Sequence, residues 1–281
     1  MAAAADIFRR AAEMNRMERG RHGNVVRVHG QLEAVVAGDI HGLRSGLSRA
    51  IRYSDVGANA NRRLILQEII HGPPDDKGHD RSIDLLLRAA RLKVTHPDRV
   101  FFVLSNHDVA QLTGNEIMKS GQEMCRAFAD GVRYAFGDDA EDVLEAVSGF
   151  LRSLPLGVRF DNRVFVMHSA PSPKRMSLAG TEILDREATD EDLKRGGPIY
   201  EWVWGRGHTP EQLDQLAAEM DASLLILGHQ PVPEGIATIG DHAVVLASDH
   251  ARGRIIRFPT SEPVTTDRVV IGARPIASLA D

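Results

Sequence analysis

Short runs of Val, Ile and Leu recur along the chain with almost no polar interruption, at residues 32–37, 64–66, 100–104, 164–167, 224–227 and 243–246. Runs of this length and composition predict strands buried on both faces. Between them lie longer segments with helical spacing, residues 43–53, 80–92, 121–134, 140–153 and 210–222. The alternation predicts an α/β fold. From residue 235 to 270 the helical period is lost and several strands are expected, which suggests two sheets packed as a sandwich with helices outside. Residues 1–23, rich in Ala and Arg, predict a short surface helix as an N-terminal extension. Residues 24–270 would form one domain and residues 271–281 a tail.

Composition narrows the chemistry. The chain has 281 residues, 43% hydrophobic and 26% charged, as expected of a soluble globular protein with a large core. Its one cysteine, Cys125, excludes an internal disulfide framework and a Cys-rich zinc site, and fits a reducing compartment. A net charge of −5 argues against a broad nucleic-acid or membrane surface. No signal-type apolar core and no run of roughly 18 apolar residues is found, so a cytoplasmic protein is expected. Its oligomeric state is not readable. Twelve histidines remain to be explained.

Five of the apolar runs finish at residues suited to metal ligation: Gly38-Asp39-Ile40-His41-Gly42, Gln67-Glu68, Ser105-Asn106-His107-Asp108, His168 and Gly228-His229. In an open α/β sheet such strand ends gather along one edge. Asp39, His41, Glu68, Asn106, His168 and His229 would meet there. Carboxylate, amide oxygen and imidazole without thiolate suit Mn²⁺, Fe or Zn²⁺. Six such ligands fit two cations sharing a carboxylate. Metals about 3.5–4 Å apart can activate a bridging water and clamp both oxygens of an in-line phosphoryl displacement.

With these motifs the chain resembles the calcineurin-like metallophosphoesterases, specifically their serine/threonine phosphoprotein phosphatase branch with its bacterial and phage members. The resemblance runs from about residue 32 to 258 and adds Trp204-Gly205-Arg206 and Ala247-Ser248-Asp249-His250 to the motifs already quoted. It implies a four-layer α/β/β/α sandwich of two mixed sheets flanked by helices. It also implies that Asp39, His41 and His229 hold one metal, Asn106 and His168 the other, and that Glu68 bridges them. His107 would be the general acid, with Asp108 orienting the site; Arg206 and Asn106 would bind phosphate. The substrate would be a phosphoserine or phosphothreonine protein or a small phosphoester. A nucleotide or dinucleoside polyphosphate hydrolase and a metal- or phosphate-binding protein without turnover are the alternatives.

The second motif departs from the family's Gly-Asp-x-x-Asp-Arg-Gly. Here the chain reads Gln67-Glu68-Ile69-Ile70-His71-Gly72-Pro73, so the bridging Asp is Glu, the Asp that orients the acid is His71, and the phosphate-binding Arg is Gly72. Arg44, Arg81 or Arg175 could replace that cation. The charged stretch at residues 73–80 reads either as a solvated loop or as a lid that brings His71, His79 or Asp76 to the substrate.

Overall fold

The computed structural model describes residues 3–119 and 121–280. One sheet runs in the order Arg21–His22, Val25–Val28, Gly157–Phe160, Val164–Met167, Leu224–Leu227, Ala243–Leu246, Ile236–Ile239. The other runs Arg274–Pro275, Arg254–Pro259, Glu33–Asp39, Arg62–Gln67, Val100–Val103. Both mix parallel and antiparallel pairs. The apolar runs are double-faced because each strand alternates between two cores. Ala34, Val36, Ile65, Phe101, Val103, Val164, Val166, Leu224, Ile226, Val244 and Leu246 fill the layer between the sheets. Val35, Ala37, Leu64, Leu66, Phe102, Phe165, Leu225 and Val245 instead face the helices. Four layers result, as the resemblance implies.

Parallel pairing of Glu33–Asp39 with Arg62–Gln67 and of the latter with Val100–Val103 puts their C-terminal ends on one edge. In the other sheet, Val164–Met167, Leu224–Leu227 and Ala243–Leu246 are likewise mutually parallel. The two edges meet where Asp39 bridges Ala247 and its carbonyl accepts from Ser248 N at 3.2 Å. Gly38 permits this approach, since a Cβ there would lie 2.0 Å from the Leu246 carbonyl oxygen. The strand ends of both sheets therefore face one region.

The helix Ala4–Arg16 is amphipathic and buries Phe8, Ala11 and Ala12 against the main core. Just beyond it Glu18 pairs with the fully buried Lys93, which also donates to the Pro97 and Val100 carbonyls at 2.9 Å. The segment expected to be all β holds a helix, Thr266–Gly272, started by the Thr265 side chain accepting from Arg268 N. Beyond it, Arg274–Pro275 pairs with Arg254–Ile255 and Ile276 is buried, so the chain after residue 271 is packed at least that far. No helix among the described residues is long and apolar enough to cross a membrane.

Candidate metal centre

Each expected ligand sits at or just past a strand end, and the backbone bends sharply there. His41, Glu68, His71 and His229 have φ of 42°, 45°, 62° and 67°, four of the seven non-glycine residues with positive φ among those described. Such conformations cost free energy and persist only where surrounding structure fixes them. His229 N donates to both Asp39 carboxylate oxygens, at 3.1 and 3.0 Å, tying the two sheets together. Gly228 makes room, because a Cβ there would stand 2.4 Å from Asp39 Oδ1 and 2.8 Å from Gln67 Oε1. Asn106 and His107 open the helix Asn106–Thr113, capped by Ser105.

These side chains converge on Glu68. Ligand atoms of His41, Glu68 and His107 lie within 4.8 Å of one another, and so do those of Asp39, Glu68 and His168. Glu68 is common to both groups, as a bridging carboxylate would be, although the division of partners differs from the one the resemblance implies. Asn106 Oδ1 stands 2.8 Å from both His168 Nε2 and His229 Nδ1, which joins these ligands to the cluster.

The donor pattern fits a cation. Gln67 Nε2 donates to the Ala37 carbonyl at 3.3 Å, so its amide oxygen faces His168 Nδ1 at 2.9 Å and takes that proton. His168 Nε2 is then a lone pair directed at Asn106 Oδ1 and, at 3.5 Å, at Glu68 Oε1. Three acceptors face one another, and the one donor to them among the described residues is His229 Nδ1, which gives its proton to the Asn106 oxygen because its Nε2 accepts from Arg206. Glu68 Oε1 and His41 Nδ1 are buried without a hydrogen-bond partner. Burial pushes the Glu68 carboxyl up to about 7, and burial together with the neighbouring Glu68 charge raises Asp39 well above the carboxylate range. Burial lowers His168 well below the usual imidazole value and, with Arg206 nearby, holds His229 at about 3. Neutral imidazoles and crowded carboxylates are the state from which metal binding proceeds.

A cavity of about 380 Å³ opens over the cluster, walled by Asp39, His41, Glu68, Asn106, His107 and Arg206 among others. Arg206 Nε donates to His229 Nε2 at 3.0 Å, placing its guanidinium on that wall. His71, expected to touch substrate, is instead buried behind His107 with the two Nδ1 atoms 2.8 Å apart. Asp108 is off the wall as well. Its Oδ2 accepts from Ser105 N and Oγ at 2.9 and 2.8 Å and closes a capping box, and burial raises its carboxyl to about 6.

The charged stretch does not close over the cavity. Asp75 Oδ1 accepts from Lys77 N and His79 N, and the His79 ring stacks on Tyr134 with centroids 3.8 Å apart. That holds the loop on the helix Met124–Phe136, so neither His79 nor Asp76 is on the cavity wall. Arg44 and Arg81 pair with Asp84, and Arg175 lies 4.0 Å from Glu201. None of the three is on the wall. Lys119 is, on the small hairpin of Met118–Lys119 with Gln122–Glu123. No sequence signal marked it, because the hairpin's position over the cavity is a tertiary fact. Of the histidines left unassigned, His208 Nε2 donates to the Ala170 carbonyl and His250 Nε2 to that of Val232, at 2.8 and 3.0 Å, as structural residues.

Residues 33–245 match the family model of the calcineurin-like phosphoesterases. The serine/threonine-protein phosphatase 4 catalytic subunit of Kluyveromyces lactis is 23% identical over 210 residues, covering 75% of this chain and 60% of the relative. Its Eremothecium gossypii counterpart is 23% identical over 233 residues, covering 77% and 68%. The chain thus spans about 60% of the length of the former. Among solved structures, a protein serine/threonine phosphatase from Saccharomyces cerevisiae with similarity to human phosphatase PP5 superposes with a TM-score of 0.68 at 16% identity, over 90% of this chain and 81% of that one. A cold-active protein-tyrosine phosphatase of a Shewanella species superposes with a TM-score of 0.58 at 15% identity, over 87% and 78%. These two likenesses establish the fold.

Proposed function

This chain belongs to the calcineurin-like phosphoesterase family, and from that membership and the buried cluster we propose that it is a metal-dependent phosphoester hydrolase acting on phosphoserine or phosphothreonine in proteins. The observation that carries the reading is the set of buried acceptors from His168, Asn106 and Glu68 that face one another at the strand ends. Asp39, His41, Glu68, Asn106, His168 and His229 would hold two divalent ions, manganese first, with iron or zinc as alternatives. Such cations supply Lewis-acid activation of water and neutralise phosphate charge.

The remaining residues bind phosphate and move a proton. Arg206 offers a planar fork to two phosphate oxygens, and Lys119 supplies the second cation in place of the Arg that Gly72 replaces. His107 donates to the leaving oxygen. Burial and the neighbouring His41 and His71 disfavour its charged form. A phosphate dianion beside the ring works in the opposite direction, so proton uptake accompanies substrate binding.

The test compares Mn²⁺-loaded wild type with Asp39→Asn on a phosphoserine peptide and an aryl phosphate, with bound metal measured in parallel. Asp39→Asn is expected to abolish both hydrolyses and to reduce bound metal. Unchanged turnover, or a wild type that hydrolyses neither compound, overturns the reading.

A further inference from the structure

His107 is paired with another histidine, and that pairing creates a problem a carboxylate would not. A carboxylate accepts only, so a histidine against it must turn a protonated nitrogen toward it. Neutral imidazole has one protonated and one bare nitrogen, and either can face a neighbour. Burial holds His71 neutral, at about 4. The Nδ1 atoms of His71 and His107 are 2.8 Å apart, so one of them carries the proton and the other receives it. Something must decide which.

The only other polar contact of the His71 ring among the described residues is Nε2 against Gln111 Oε1, at 2.9 Å. An amide oxygen accepts, so Nε2 of His71 carries the proton and its Nδ1 is bare. Nδ1 of His107 must then be the donor. Nε2 of His107 has no protein partner among the described residues and belongs to a ring on the cavity wall. His71 is 1% exposed, leaving little room for water to take the place of Gln111. The His71 ring is also held edge-on to Phe128, with centroids 5.9 Å apart. Gln111 lies four residues after His107 on the same helix, on the same face and one turn away.

We propose that Gln111 is a positioning residue for His107, acting through His71: its amide oxygen fixes the His71 tautomer, which fixes the resting His107 proton on Nδ1 and leaves Nε2 bare on the substrate side, free to take up, as substrate binds, the proton that passes to the leaving oxygen. The relay moves no charge. It rests on the reading of His107 as the proton donor to the leaving group, and it assigns to an amide and a neutral ring the orienting task that a carboxylate would perform directly.

Two measurements on the full chain test it. Long-range ¹H–¹⁵N spectra of histidine-labelled protein without added metal, at pH 8, report the tautomer of each ring independently of activity. Wild type is expected to show Nε2–H at His71 and Nδ1–H at His107. Gln111→Met, of similar length without the acceptor, should show His107 averaged between tautomers, and Gln111→Glu should restore the wild-type pattern. With Mn²⁺ and an alkyl phosphate, Gln111→Met should lower kcat by about tenfold with KM unchanged, and Gln111→Glu should recover it. Nε2–H at His107 in wild type, or a His107 signal that Gln111→Met leaves unchanged, overturns the relay. If no phosphoester is hydrolysed, the proposed activity falls while the ring spectra still decide the relay. If Gln111→Met does not fold, the wild-type spectra alone decide the assignment.

Discussion

At the residue scale, burial determines what each polar group can do. His71 is neutral because it is enclosed, and its folded value of about 4 lies below the ordinary imidazole value of 6.5. A depressed value means that the fold binds the proton less well than the unfolded chain does. The stability this confers is complete above pH 6.5 and is lost as pH falls through about 4. Relative to His71→Asn, which cannot titrate, wild type should lose about 3 kcal/mol between those limits in denaturant unfolding; a pH-independent difference would refute a buried neutral ring. Lys119 tests the opposite kind of site, a cation on the cavity wall with no ion-pair partner among the described residues. Lys119→Ala should raise KM for a phosphate monoester by about tenfold while leaving Tm unchanged, and an unaltered KM would remove it from phosphate binding. The sequence singled out Asp39, His41, Glu68, Asn106, His168 and His229 as candidate ligands because each follows an apolar run. What Gln67 and Gln111 touch stayed hidden, since each faces a histidine that is distant in sequence.

At the element scale, alternation within each strand carried the fold. Val35 and Val36 look alike in the sequence, yet one faces the helices and the other the opposite sheet. Continuous apolar runs therefore implied a two-sided environment before any partner was known. What they could not convey was where a charged loop would lie. The stretch after Gly72 reads first as a solvated loop and second as a lid, and the His79–Tyr134 stack shows it docked on a helix. The late helix was hidden for a related reason, being short and set by the Thr265 cap more than by an apolar period. Strand ends can converge only where side chains are missing, and Gly228 is such a place. In Gly228→Ala the added methyl group would displace Asp39 and Gln67, the former a proposed ligand and the latter the partner of His168. Weakening of Mn²⁺ affinity by at least about tenfold is expected, with stability reduced by about 1–3 kcal/mol. Affinity equal to wild type in calorimetric titration would show that the strand ends are not held as closely as the geometry requires.

At the scale of the whole molecule, the centre lies where the two sheets join, so occupancy and stability are linked. His229 on one sheet holds Asp39 on the other, and His168 faces Glu68 across the same seam. A cation gripped by both sides binds the folded chain and not the unfolded one, and at about 100 times its dissociation constant it adds roughly 2.7 kcal/mol. For a chain of this size that corresponds to a rise in Tm of about 5 °C. Histidine-rich centres ordinarily release metal as their imidazoles take up protons near pH 6.5. Here His229 is held at about 3 and His168 well below the usual value, so those rings do not compete for protons in that range. The carboxylates do, with Glu68 at about 7 and Asp39 also raised. Protons therefore oppose the cation below about pH 7, and the gain in Tm on adding Mn²⁺ should be full at pH 8 and small at pH 5.5. Glu68→Gln removes one competing proton and should flatten that dependence while lowering the gain at every pH. A wild-type gain that stays constant to pH 5.5 would mean that the carboxylates are ionised before metal arrives, and the linkage drawn from their burial would be wrong.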